Sequence, residues 1–131
     1  MMTNGEDDCP GASHRTGPLI DIEQINGLLS AAGVDATREI LAAFWRSTET
    51  LVAALQDQLG QGDLHEASRT AHALKGSALN VGALRLSCAA RAIEACCRED
   101  DPGGALRNLS GVAGHVAETA AAFDAHFSAA A

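Results

Sequence analysis

Between Leu64 and Val81 the apolar residues Leu64, Ala67, Ala71, Leu74, Ala78 and Val81 recur at spacings of 3, 4, 3, 4 and 3. Only a helix with one face against other helices gives that pattern a single direction, because side chains three and four apart share a face. The same alternation runs through Leu41, Phe44, Thr48, Leu51, Leu55 and Gln58/Leu59, which predicts a first long helix over 35–59. A third over 82–99 buries Leu86, Ala89 or Ala90, Ile93 and Cys97. A fourth, from about 104, carries Leu109, Val112, Val116, Ala120, Phe123 and Phe127.

Punctuation between these segments supports the division. Gly60-Gln61-Gly62 ends the first helix, and Asp63 opens the second with Glu66 three residues on, the spacing of a capping box. Asp35 or Thr37 can cap the first helix, and Asp100-Asp101-Pro102-Gly103 ends the third. Upstream, PLIDIEQINGLLSAAG predicts a short helix stopping near Gly33, a lid or brace on the rest. Short links force neighbouring helices to run antiparallel. The expected fold is all-α: an antiparallel up-down-up-down four-helix bundle with a short additional N-terminal helix. Residues 1–17, rich in Gly, Asp, Ser and Thr, read as a disordered tail, and 18–131 as a single helical domain.

Composition narrows the function. Nine Lys and Arg against seventeen Asp and Glu give a net charge of −8, which repels a phosphate backbone and argues against nucleic acid. Neither a signal peptide nor a long apolar run is present, so a cytoplasmic protein without membrane attachment is expected. Cys9, Cys88, Cys96 and Cys97 form no C-x-x-C pair and read as reduced thiols, buried or partly buried, rather than as a metal or redox site.

The second helix carries the one face that is not bland. His72 lies about 130° from the apolar seam, so it points outward. His65, Ser68, Arg69, Lys75, Gly76 and Leu79 fall around the same direction. Lys75 and Gly76, at i+3 and i+4, are its immediate neighbours one turn on. Gly76 costs a helix interior about 1 kcal/mol relative to Ala, yet gives clearance beside the imidazole. Leu79 is apolar on an outward face, as a docking patch requires. An exposed imidazole offers a neutral nucleophilic nitrogen at pH 7, and a phosphoryl group placed on it would be offset by Lys75 and by Arg69. A lone surface histidine is usually silent, whereas His-x-x-Lys-Gly with an outward Leu is not a typical solvated face. His115 and His126 are scattered on the fourth helix and read as surface residues.

On Ala71-His72-Ala73-Leu74-Lys75-Gly76-Ser77-Ala78, then Asn80, Val81, Gly82, Leu86, Ile93 and Glu94, the chain resembles the histidine phosphotransfer (HPt) domain family of two-component phosphorelays. The resemblance spans roughly 35–100. It implies that His72 is the phosphoacceptor through the ring nitrogen remote from the backbone, that Lys75 offsets the phosphate charge and that Gly76 provides clearance. It also implies partners: receiver domains of a hybrid sensor histidine kinase and of a response regulator, which bring the acidic pocket and Mg²⁺. No intrinsic cofactor and no ATP-binding or kinase segment is expected, so the chain reads as a stand-alone carrier rather than an enzyme. Ser68, Leu79 and His65 are candidate docking residues. Glu94 matches a family position, but by itself reads as a capping or surface ion-pair residue.

Two other classes compete. A receiver-binding module without phosphate would keep Leu79 and the helix face but has no use for His72 with Lys75. A metal-binding bundle would use His65 and His72, perhaps with Asp63 or Glu66. Residues seven apart on a helix are separated by about 10 Å along its axis, however, too far for one ion.

Overall fold

The structure is a computed structural model that describes residues 17–130, except for the side chain of Ala130. Five helices account for most of it: α1 (Ile22–Gly60), α2 (Leu64–Val81), α3 (Leu84–Arg98), α4 (Pro102–Ser110) and α5 (Val112–Ala130). Among the described residues there is no strand. The architecture is the expected all-α helical bundle, with its first and fourth members each interrupted once.

The first interruption is at Gly33, whose φ of 87° and ψ of 169° leave the helical region. A side chain at that φ would be strained, so glycine is what lets the short N-terminal helix run directly into the long one. The junction needs no cap from Thr37, which is fully buried, and the first cap lies upstream, where Asp21 accepts from the Gln24 amide. The second interruption, at Gly111, corrects the expectation of one continuous fourth helix. Ser110 Oγ donates to the Arg107 carbonyl at 2.6 Å and competes for an acceptor in the final turn. That helix also starts earlier than expected, because Pro102 occupies the first turn behind the Asp101 cap, where its missing N–H costs nothing.

The predicted seams form the observed core, except that Leu51, Leu64, Val116 and Ala120 are only partly buried. Ala67, Ala71, Leu74, Ala78 and Val81 are buried on α2. Facing them, α3 buries Leu86, Ala89, Ala90, Ile93 and Cys97. Fully burying a Leu or Ile such as Leu74, Leu86 or Ile93 contributes about 1.5–3 kcal/mol. The alanines between them let α2 and α3 approach closely, and this is the principal helix pair of the fold. On α1, Leu41, Phe44, Leu55 and Leu59 are buried. Phe123 and Phe127 from α5 join the same cluster, reached from α1 by Trp45, whose ring lies 6.4 Å from that of Phe123.

Only Gly82 and Ala83 separate α2 from α3. Gly82 takes φ 78°, and its amide and that of Ala83 fold back onto the Leu79 and Ala78 carbonyls, closing α2 as a Schellman turn does. The N-terminal segment fastens onto this turn: the Asp21 amide donates to the Gly82 carbonyl at 2.8 Å and Gln24 Nε2 to the Asn80 carbonyl at 2.9 Å. The guanidinium of Arg85 also donates to the Gly17 carbonyl. The segment is therefore a brace. Residues 1–16 of the expected disordered tail, with Cys9, lie outside the described residues.

Other local expectations need correction. Asp63 accepts from the Glu66 amide, but its own amide is already bonded to the Gln58 carbonyl, so the capping box is only half formed and Glu66 turns to Arg69. His115 is buried, not a surface residue, because it lies on the inward stripe of α5 with Val112, Thr119 and Phe123. His126 is half-buried, with Nε2 2.8 Å from Asn26 Oδ1 on α1. Cys96 and Cys97 are free thiols, whereas Cys88 is disulfide-bonded, against the expectation of four reduced cysteines.

Candidate functional site

Because Ala71 and Leu74 are wholly buried, the intervening turn of α2 fixes where His72 stands: one residue off the seam, at the rim facing α3. Its side chain is 63% exposed, but one edge of the ring is not free. Nδ1 lies 3.0 Å from Oε2 of Glu94, on α3. Glu94 is itself buried, with only 4% of its side chain accessible. Position 94 falls between Ala90 and Cys97 on the inward side of α3, so its carboxylate is held in the groove between the two helices.

Three donors meet that carboxylate. Lys75 Nζ reaches Oε1 at 3.1 Å, while His72 Nδ1 and Arg98 Nη2 share Oε2 at 3.0 and 2.7 Å. Burial pushes the Glu94 carboxyl up, but hydrogen bonds from Lys75 and His72, with the charges of Lys75 and Arg98, outweigh it and hold the group below its ordinary value. Glu94 is thus ionised at neutral pH and can only accept. Its partner on the ring must be N–H, so in the neutral imidazole the proton is on Nδ1 and the lone pair is on Nε2. Nε2 has no partner among the described residues and belongs to the exposed edge of the ring. The arrangement yields a nucleophilic nitrogen aimed at solvent, with an anion behind it to offset positive charge that develops on the ring.

The structure brings together His72, Lys75 and Glu94, and adds Arg98. Glu94 is not the capping or surface residue that the sequence suggests; it is the hub of the cluster. The available signal is its spacing, four after Ala90 and three before Cys97, which puts a carboxylate on an apolar stripe. Sequence reasoning does not single out Arg98 at all; its signal is the i, i+4 relation to Glu94. Arg69, the other expected cation, is 72% exposed and lies 4.0 Å from Glu66. Gly76 is exposed, and a Cβ built there would meet nothing within 4 Å, so internal packing does not demand glycine. Leu79 is 48% exposed, His65 is exposed and Ser68 is half-buried on the same side of α2.

Other regions offer less chemistry. A groove of about 830 Å³ opens between α1 and α4–α5, but it is lined by Trp45, Val52, Leu106, Val112 and Val116, with Glu49 its ionisable group. Burial and then the neighbouring Asp101 and Glu99 charges raise the Cys96 thiol, and burial raises Cys97, so both stay protonated at neutral pH. Among the described residues no group of three or more His, Cys, Asp or Glu could hold a metal ion, and no helix is long and apolar enough to cross a membrane.

Residues 39–126 match the family model of the Hpt domain, a span that carries the whole cluster and extends into α5. The chain belongs to the Hpt family, the histidine phosphotransfer domains of two-component phosphorelays. Members are phosphotransfer carriers rather than kinases, and they interact with receiver domains. No curated protein and no solved structure matches the chain.

Proposed function

We propose that His72 is the phosphoacceptor, taking a phosphoryl group from the aspartate of a hybrid-kinase receiver domain and passing it to the receiver of a response regulator in the cytoplasm. One observation carries this reading: the exposed imidazole is tethered by Nδ1 to a buried, ionised Glu94, which presets Nε2 as the nucleophile. The Nε2 lone pair attacks phosphorus, the N–P bond forms, and the bond from phosphorus to the aspartyl oxygen breaks with its electron pair returning to the carboxylate. The ring keeps its Nδ1 proton and becomes positive as this happens, and Glu94 offsets that charge. Phosphate passes onward by the reverse sequence at the second receiver. Mg²⁺ and the acidic pocket come from the receiver, whose approach fits the open space beside Gly76 and the outward Leu79, Ser68 and His65.

The test is transfer from a panel of radiolabelled receiver-domain phosphates, with Mg²⁺, to wild type and His72→Gln. Acid-labile, base-stable label on wild type alone is expected, with helical circular dichroism unchanged in the variant. Label on both proteins would move the site away from His72. Binding of receivers with no label on either would instead favour a binding-only module.

A further inference from the structure

An i, i+4 Glu–Arg pair on a helix is ordinarily a weak surface contact. Glu94 and Arg98 differ from that case in two respects. The carboxylate is buried, while the arginine side chain is 68% exposed and reaches in from the last turn of α3. The oxygen it reaches, Oε2, is the one already holding His72 Nδ1. Arg98 therefore sits at the mouth of the site, against the same atom as the reacting ring.

The two cations of the site are not equivalent. Lys75 is the donor to Oε1, and its side chain is only 22% exposed. If its ammonium swung out to a phosphoryl group, Oε1 would be left buried without a donor, and a buried charged acceptor without its partner is costly. When Arg98 leaves, Oε2 keeps the His72 Nδ1–H. That bond strengthens once phosphorylation makes the ring positive. The guanidinium is also the better phosphate ligand, since its planar fork can pair with two oxygens at once.

We propose that Arg98 is the mobile phosphate-binding cation of this protein: it rests on Glu94 Oε2 while His72 is free and moves onto the phosphoryl oxygens when Nε2 is phosphorylated, whereas Lys75 stays on Oε1. The inference rests on His72 as phosphoacceptor. It assigns to Arg98 the direct contact that sequence reasoning gives to Lys75 and Arg69.

Phosphoramidate, which gives up its phosphoryl group to an imidazole and releases ammonia, loads the site without a receiver domain. The full chain, Arg98→Ala, Arg98→Lys and His72→Gln would be treated with it and followed by ³¹P NMR as a function of pH. In wild type the phosphohistidine resonance should titrate at lower pH than in Arg98→Ala, by about 0.5 to 1, the effect of one charge-assisted hydrogen bond to the dianion. Arg98→Lys should fall between them. Nitrogen-15 spectra of unphosphorylated Arg98→Ala should still show the Nδ1–H tautomer, which separates loss of a phosphate ligand from collapse of the site. Superimposable ³¹P titrations of wild type and Arg98→Ala would overturn the role of Arg98 alone. Failure to find a resonance that His72→Gln lacks would overturn the phosphoacceptor reading, and this inference with it.

Discussion

Lys75 Nζ lies 3.1 Å from Glu94 Oε1 with about a fifth of its side chain accessible, so the ammonium one turn beyond His72 is committed to the groove between α2 and α3. Its charge still reaches the ring, but through a carboxylate that also fixes the ring's protonation. Glu94 is for that reason the residue whose replacement should be most informative.

Replacing Glu94 by Ala removes the Nδ1 acceptor and strands Lys75. Phosphotransfer from a receiver domain should fall about 10- to 100-fold, by analogy with the loss of the carboxylate that orients a metal-bound imidazole. Nitrogen-15 spectra of His72 should show a mixture of tautomers in place of Nδ1–H. Glu94→Gln keeps an oxygen acceptor and should lose less. Equal rates for wild type and Glu94→Ala would show that the tether is only structural.

Glu94 also sets an acid limit. A carboxyl held below its ordinary value of 4.5 favours the folded state above the unfolded-state pKa, and that contribution disappears as pH falls through the folded one. Urea melts of wild type and Glu94→Gln should therefore differ by a constant amount from neutral pH down to about 5. The curves should then converge under more acidic conditions. A difference that grows on acidification has the wrong sign for this account.

Gly76 should separate stability from activity. Because a Cβ at this position would have nothing within 4 Å, Gly76→Leu restores helix propensity and should raise stability by about 0.5–1 kcal/mol in thermal melts. The same side chain would stand beside the His72 ring where a receiver must approach, so transfer from a receiver should drop well below wild type while phosphoramidate labelling changes little. Unimpaired receiver transfer would show that the clearance is not used.

At Gly82 the opposite holds. A Cβ there would lie 3.1 Å from the Gln24 Cβ and 3.2 Å from the Asp21 carbonyl, at a φ of 78°. Gly82→Ala should cost about 1–3 kcal/mol in denaturant unfolding and loosen the N-terminal brace, seen as faster amide exchange at Asp21. An unchanged unfolding midpoint would mean that the brace and turn adjust freely.

Legible in the sequence is whatever a single helix determines. The buried faces of α1, α2 and α3, the outward direction of His72, and the Asp63 cap all follow from periodicity and local chemistry. Glu94 is misread from sequence because two of its three partners, Lys75 and His72, are 19 and 22 residues away on another helix. A wheel drawn for α3 alone shows a carboxylate near an apolar stripe but not the lysine and imidazole that compensate it. His115 is misplaced for a related reason: a polar residue on a buried stripe looks like a surface residue until the packing is known. The break at Gly111 follows Ser110, whose hydroxyl donates to the Arg107 carbonyl, and residue type signals such a break only weakly.

His72 and Lys75 belong to α2, Glu94 and Arg98 to α3, and two residues join the helices. The chemistry therefore depends on counting. One residue added to or removed from that link would turn α3 by about 100° relative to α2, carrying the carboxylate away from both donors. A histidine, a lysine and an exposed glycine would remain in unaltered order on a well-formed helix, and the imidazole would lose its defined nucleophile. The short Gly82–Ala83 link is thus a phase setting between two repeats of side chains.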